Sequence, residues 1–500
     1  MSLLRRFRLA PPAALLGALS VAGFAPLNWY ALPVLALAGL FLIWHKAATA
    51  REAALAGFAF GLGLFGTGVS WVYVSLHDYG MMPAPLAALA TLLFCAYLAL
   101  HPALVGWLQA KMRMPLRWRL LIAAPALWVI TEWLRLWVWT GFPWLALGYS
   151  QLDSPLGGFA PVLGVYGVSL AACVVAALIS VALIERGLTL FVAAAVVIAL
   201  GLTGYGLGRV AWTQAAGEAL TVRLLQGNIP QEMKFVEGRY QATLETYARL
   251  AQQADNAPRA RLIVMPETAI PRFFDTVDPA YLGRLERIAR NNQGDLLAGV
   301  PARDAAGRYY NGVVSLGSAP TQSYAKSHLV PFGEFIPPGF GWIINVLKIP
   351  LADFSSGGAE QQPLAVAGQR VAVNVCYEDA FGEEIIRQLP TATLLANVSN
   401  VAWFGNSLAP EQHLDMSRMR SVETGRVMLR ATNTGVTAII DEKGRVTARL
   451  PTFTEGALSG TAMGHTGATP YVRIGNYPVV LLCFMLIAWC AFSPGGRRRR

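Results

Sequence analysis

Charge is scarce in this sequence: Asp, Glu, Lys and Arg make up 14% of the 500 residues, while hydrophobic residues make up 55%. So few charged side chains would cover the surface of a soluble chain this long poorly. Together with long apolar runs, the shortage argues for an integral membrane protein. Acidic residues are the scarcer kind, 29 against 40 Lys and Arg, for a formal net charge of +11. The excess basic residues fall between hydrophobic runs, so they read as a topology signal and not as a nucleic-acid surface. Cysteine is scarce too. The five (Cys95, Cys173, Cys376, Cys483 and Cys490) are odd in number and form no C-x-x-C pair. No metal-ligand spacing stands out either, so neither a disulfide framework nor a zinc site is indicated. Four of them lie in apolar segments; Cys376 alone lies in the polar part of the chain, which isolates it as a candidate nucleophile.

Hydrophobic length is what the chain has in abundance. Seven segments precede residue 210, at about 11–27, 30–46, 53–76, 83–108, 118–136, 164–185 and 188–208, and an eighth covers about 477–493. Each is near the roughly 20 residues that cross a hydrocarbon core. Arg5, Arg6 and Arg8 give the first a signal-peptide look, but another span follows at once, so it is read as an anchor. Lys46 and Arg51 mark the second connection, Lys111, Arg113, Arg117 and Arg119 the fourth, Arg186 the sixth, and Arg497–Arg500 the tail. The connections around Asp78 and from Thr140 to Leu163 have no Lys or Arg. Under the positive-inside rule both termini are cytoplasmic and the block after residue 210 is periplasmic, in the inner membrane of a Gram-negative cell. The expected domains are 1–210 with transmembrane helices 1–7, 211–472 outside the membrane, and 473–500 with the eighth helix and a basic cytoplasmic tail.

The block from 211 to 472 has ordinary charge density and alternates apolar runs with helical segments, as in an α/β domain. Strands are predicted at Leu220–Gln226, Arg261–Met265, Leu296–Val300, Gly312–Leu316, Arg370–Val375, Thr393–Val398 and Gly435–Ile440. Helices are predicted at about 238–255, 278–292, 380–388 and 408–427, and Asp441–Gly444 has a turn composition.

Three patterns place a reactive side chain just after a β-rich run: Met265-Pro266-Glu267, Tyr324-Ala325-Lys326, and Asn374-Val375-Cys376-Tyr377-Glu378. Ligands gather outside the carboxyl ends of strands in layered α/β folds, so these three residues are candidates to converge. A thiol needs a proton acceptor before it attacks a carbonyl, and a carboxylate serves; a nearby lysine stabilises a thiolate and an oxyanion. Taken singly each has a plainer reading, a solvated loop residue for Glu267 or Lys326 and a small core residue for Cys376. Composition and spacing stop at a membrane-anchored α/β domain with a candidate cysteine nucleophile.

These strings resemble the Glu-Lys-Cys signature of the nitrilase (carbon–nitrogen hydrolase) superfamily, and the whole chain resembles the membrane-embedded apolipoprotein N-acyltransferase family. Supporting strings are Gly141-Phe142-Pro143-Trp144-Leu145, Gln226-Gly227-Asn228-Ile229-Pro230-Gln231 and the run from Lys326 to Glu334. Further along stand Ala402-Trp403-Phe404-Gly405, Arg418-Met419-Arg420, Arg430–Gly435 and Ala468–Arg473. The resemblance implies an α-helical transmembrane bundle of about eight spans plus an α/β nitrilase-like αββα sandwich. It implies a triad of Glu267 (general base), Lys326 (oxyanion stabiliser) and Cys376 (nucleophile), supported by Glu334, Tyr377 and Glu378. The implied reaction moves a fatty acyl chain from a membrane phospholipid, through a Cys thioester, to the N-terminal α-amine of a diacylglyceryl-cysteine apolipoprotein, and it requires no metal or organic cofactor.

Two departures stand out: Phe235 occupies a place where the family often has tryptophan, and Val401 one where aspartate is common. Trp144, Phe235, Trp342 and Trp403 are candidate substrate contacts, Trp144 as part of a floor for the acyl chain or headgroup. The interrupted apolar segment Phe335–Phe354, which holds Trp342, is a candidate lid at the outer leaflet. Glu132 and Arg135, three apart in the fifth span, are placed either to pair on one helix face or to snorkel to the interface. A membrane-tethered amidase that hydrolyses its thioester uses the same three residues, and a transporter with a periplasmic domain is a reading of another class. Both alternatives stand at this point.

Overall fold

The computed structural model describes residues 8–253, 259–336 and 353–492. The apolar segments form helices α1 (Ala10–Ser20), α2 (Ala31–Lys46), α3 (Ala50–Gly68), α4 (Ala84–Lys111), α5 (Ala124–Leu134), α6 (Ala160–Glu185) and α7 (Leu188–Arg209), with a further one at Tyr477–Phe492. Among the described residues, Ala84–Lys111, Pro155–Glu185 and Leu188–Arg209 are long and apolar enough to cross a membrane. Ala50–Gly68 and Val72–Tyr79, bent by 59° at the break between them, make a fourth if taken together. The helices at Ala10–Gly23, Ala31–Lys46 and Tyr477–Phe492 are apolar but shorter. The chain therefore carries a multi-pass apolar helical region.

Local chemistry sets these helices. The Thr49 hydroxyl accepts the Glu52 N–H at 3.2 Å and the Glu52 carboxylate accepts the Ala48 N–H at 2.9 Å, which satisfies donors that the start of α3 leaves open. Small residues let α1 and α3 touch backbone to backbone: a Cβ on Gly17 would lie 2.0 Å from the Phe60 carbonyl oxygen, and one on Gly63 2.0 Å from that of Ala14. Glu132 and Arg135 do pair, at 3.9 Å, both buried. Glu132 also accepts the Leu147 N–H at 2.9 Å, and Arg135 donates to the Trp144 carbonyl at 2.9 Å. The pair thus ties the connection after α5 back to that helix.

The chain divides into two compact units. The apolar helices and the C-terminal helix form one; residues 211–473 form the other, together with Val74–Pro83 from the connection before α4. The second unit holds β1 (Gln214–Ala215), β2 (Leu220–Gln226), β3 (Leu262–Val264), β4 (Asp295–Arg303), β5 (Tyr309–Gly317), β6 (Ser323–Ala325) and β7 (Leu364–Val366). After these come β8 (Gln369–Val375), β9 (Leu394–Ser399), β10 (Met428–Thr432), β11 (Ala438–Ile440), β12 (Val446–Arg449), β13 (Gly456–Ala462) and β14 (His465–Thr466). One six-stranded sheet has the order β13-β2-β3-β4-β5-β6 and the other β12-β11-β10-β9-β8-β7, while β1 pairs with β14. In each sheet three adjacent strands are parallel, β2-β3-β4 and β8-β9-β10, and the flanking pairs are antiparallel.

Strand period assigns the layers. In β8, Val371, Val373 and Val375 point into a cluster that also takes Val222, Leu224 and Val264 from the other sheet. Ala372, one residue out of phase, faces a separate cluster with Leu414 of α10 (Ala409–Thr424). On the far side of the first sheet, Leu225, Ile263 and Leu296 pack against Leu244 of α8 (Tyr240–Gln252) and Leu285 of α9 (Pro279–Asn291). Three apolar interfaces between four layers make an αββα sandwich. α9 begins where Asp278 accepts the Ala280 N–H at 2.9 Å and Pro279 presets the first turn.

One predicted element differs, and several strands lie outside the predicted set. The helix predicted over 380–388 is a four-residue turn of helix, Gly382–Ile385, flanked by tighter 3-10 turns. β10 was not predicted, because Arg430 interrupts its apolar run; that side chain is buried against Asp379.

Candidate active site

Cys376 follows β8 directly and opens the 3-10 turn Cys376–Ala380. Its φ is +55°, a left-handed conformation that costs a non-glycine residue about 1–2 kcal/mol. The surroundings hold it there. Its carbonyl accepts from Asn397 Nδ2 at 3.0 Å and from His413 Nε2 at 3.2 Å. His413 Nε2 also donates to Asp379 Oδ1 at 2.6 Å, and Arg430 Nη1 bonds Asp379 Oδ2 at 3.0 Å and Asn397 Oδ1 at 2.7 Å. Burial disfavours the charge on Asp379, but His413 and Arg430 more than offset that and hold its carboxyl below the usual aspartate value. A strained residue braced by a buried polar network is a common way to present a reactive side chain.

Glu267 leaves the end of β3 and is met by two donors: Asn311 Nδ2 at 2.7 Å on Oε1 and the Asn400 N–H at 2.7 Å on Oε2. The same Asn400 N–H also bears on the Cys376 thiol. Lys326, just past β6, places Nζ 2.7 Å from Glu334 Oε2 and 3.9 Å from Glu267 Oε1. Asn311 Nδ2 closes the group by also reaching Glu334 Oε1 at 2.8 Å. Burial alone would push the Lys326 ammonium down, but Glu334, Glu267 and Cys376 reverse this, so its pKa stands above the ordinary lysine value. Burial, and then Glu267, push the Cys376 thiol up, with Lys326 opposing. A thiol so placed rests protonated and reacts only with a base in reach. Close approach of strands fixes the Glu267 backbone: a Cβ on Gly299 of β4 would lie 2.1 Å from the Pro266 carbonyl oxygen and 2.8 Å from Glu267 Cα.

Glu378 does not enter this group. Its carboxylate accepts the N–H groups of Val375 (2.6 Å), Ser327 (2.6 Å) and His328 (3.0 Å) and the Tyr324 hydroxyl (3.0 Å), so it fastens the segment after Lys326 to the end of β8. Burial pushes it up to about 7, against the pull of Lys326 and those N–H donors. Tyr377 is buried with its ring edge-on to Phe381 at 4.9 Å. Phe235 is 43% exposed. Trp403 is held from its own unit: Ser75 Oγ donates to its carbonyl at 2.7 Å, and Tyr79 meets its ring edge-on at 6.0 Å. Trp144 lies inside the other unit, 1% exposed, stacked on Phe142 and close to Trp71. Trp342, with nearly all of the candidate lid, lies outside the described residues.

Comparison with known proteins fits both units. A family model for the apolipoprotein N-acyltransferase N-terminal domain matches residues 16–178, and one for carbon–nitrogen hydrolase matches 221–470. An apolipoprotein N-acyltransferase from Nitrosomonas europaea is 53% identical, with 99% of each chain covered. The chain belongs to the apolipoprotein N-acyltransferase family. Relatives of the same name from Ralstonia nicotianae and Methylococcus capsulatus are each 46% identical, covering 99% and 95% of this chain and 95% and 94% of their own. It is therefore an enzyme of the N-acyltransferase class, with a carbon–nitrogen hydrolase domain.

Sequence reasoning passed over three contributors. Asn311 is a lone amide in an apolar strand, a signal that was there to read. Asn400 acts through a backbone N–H, which leaves no trace in residue type. Lys234, hidden beside Phe235, is a buried lysine whose Nζ donates to the Glu267 carbonyl at 3.1 Å. At the second departure, Val401 is buried in apolar contact: a Cβ on Gly435 would lie 2.3 Å from Val401 Cγ2.

Proposed function

We propose that this family member carries a fatty acyl chain from a membrane phospholipid to the α-amine of a diacylglyceryl-cysteine apolipoprotein through a thioester on Cys376. In the first half, Glu267 takes the thiol proton as Cys376 Sγ attacks the ester carbonyl carbon. Lys326 and a backbone N–H following Cys376 bear the oxyanion. The ester C–O bond then breaks, and the lysophospholipid leaves with the proton from Glu267. In the second half the acceptor amine attacks the thioester, Glu267 takes its proton, the C–S bond breaks and the thiol is restored. Dividing one difficult transfer into two steps is the usual gain of covalent catalysis.

Glu334 holds Lys326 charged and in place, while Glu378 and Tyr377 act on the geometry of the lysine segment and of the nucleophile's turn. Phe235, as an exposed aromatic surface, is a candidate acyl contact. Trp144 and Trp403, both packed among aromatic neighbours, are candidates to shape the substrate path. In this reading the shorter apolar helices also span, giving eight crossings of the inner membrane. Both termini are then cytoplasmic, and residues 211–472 face the periplasm between helices 1–7 and the helix within 473–500.

The observation that carries the reading is the pair of bridges at the site. Asn311 Nδ2 joins Glu267 to Glu334, and Lys326 Nζ lies between the same two carboxylates, 2.7 Å from Glu334 and 3.9 Å from Glu267. The test uses the protein in phospholipid nanodiscs with a diacylglyceryl-cysteine lipopeptide. Conversion to the triacylated product, and none with an N-acetylated lipopeptide, is expected. Equal release of free fatty acid with either peptide, and no amide product, would favour the hydrolase.

A further inference from the structure

Charge at the site does not balance on three residues. Glu267 and Glu334 bring two negative charges and Lys326 one positive charge, which already faces Glu334 at 2.7 Å. Any further negative charge, on the thiolate or on an oxyanion, would form in a buried region that is net negative. Lys234 stands at the end of the turn that follows Pro230 and is 4% exposed. Its ammonium donates to the backbone carbonyl of Glu267 at 3.1 Å, and among the described residues no carboxylate pairs with it. The ionisable groups that act on it are Glu267 and Cys376. A buried ammonium held by one neutral carbonyl is costly for the fold alone, so the observation asks for a reason in the chemistry.

We propose that Lys234 is a positioning residue of the transfer site. It fixes Glu267 through its carbonyl, and it brings the buried group to neutrality so that negative charge can develop at Cys376. The proposal rests on the reading of Cys376 as nucleophile. It deepens that reading by separating the two lysines: Lys326 is paired to Glu334, and Lys234 supplies the uncompensated positive charge. Burial pushes Lys234 down to about 8, with Glu267 and Cys376 opposing, so it carries its proton at neutral pH.

The test is the pH profile of Cys376 alkylation by iodoacetamide, read by mass spectrometry on the full-length protein in nanodiscs. Lys234→Met should move the midpoint upward by about one pH unit, roughly tenfold in rate at a fixed pH below the midpoint, while Lys234→Arg stays near wild type. An unmoved midpoint in Lys234→Met overturns the proposal. So does a Lys234→Arg profile as displaced as that of Lys234→Met, since packing and not charge would then be at work. Should Lys234→Met not fold, Lys234→Gln is compared with Lys234→Arg on the same terms. Thioester formation by wild type is measured in parallel. Its absence counts against Cys376 as nucleophile, whereas a normal thioester with an unmoved profile counts against Lys234 alone.

Discussion

Lys326 is held in the fold by a buried ion pair, and that role separates by experiment from the one proposed for it in the chemistry. Its ammonium is the partner of Glu334 at 2.7 Å and a neighbour of Glu267 at 3.9 Å, all three side chains buried. Lys326→Met would strand both carboxylates, and breaking a buried pair in this way costs about 3–5 kcal/mol. A clearly lowered Tm is therefore expected along with lost transfer, whereas Cys376→Ala should lose transfer with a Tm near wild type. Equal melting of the two variants would contradict the ion-pair account. Glu267→Gln separates the roles in another way. The glutamine keeps the shape but cannot take a proton, and its NH2 faces one of two donors, Asn311 Nδ2 or the Asn400 N–H. Transfer should fall by about 10²–10⁴-fold in a protein that still folds, measured as triacylated lipopeptide per minute. Turnover within a few-fold of wild type would remove Glu267 as the base.

Strands that bring these residues together were largely legible, since the predicted Leu220–Gln226 matches β2 and Arg370–Val375 lies within β8. Period-two alternation of valines in β8 suffices for that. β10 was hidden because a buried arginine breaks the apolar run, and its partner Asp379 lies 51 residues away along the chain. Motif resemblance alone singled out Glu267, Lys326 and Cys376 together, for spacing left each of them with a plainer reading. Glu378 shows the limit of a motif: it lies two residues from Cys376 in sequence yet serves the loop after Lys326. The close approach of β4 to the turn carrying Glu267 gives a prediction for these elements. Gly299→Ala puts a methyl against the Pro266 carbonyl and Glu267 Cα, so Glu267, the proposed base, must shift. A displacement of about 1 Å can cost up to about 100-fold in rate. The expected result is a lower kcat with the Cys376 thiol still alkylated; a wild-type kcat would show that the backbone yields elsewhere.

At the scale of the whole chain, hydropathy found the apolar helices among the described residues but not their lengths. The segment predicted over 53–76 is continuous in composition, yet α3 stops at Gly68 and the chain bends by 59° before Val72–Tyr79. Residues on both sides of the bend are apolar, so hydropathy cannot mark it. Part of that segment, from Val74, belongs to the unit that carries Cys376. That unit has a hydrolase-type sandwich, and the rest of the chain is a multi-pass helical region, a combination that suits a donor and an acceptor both held in a bilayer. The central claim is that these meet one after the other on a single sulfur atom. It is tested most directly by incubating wild type and Cys376→Ala with phospholipid carrying a labelled acyl chain, without acceptor. The account predicts a hydroxylamine-sensitive label on Cys376 in wild type only, which moves to the amine of a diacylated lipopeptide added afterwards. Label absent from Cys376 while triacylated product still forms would contradict it.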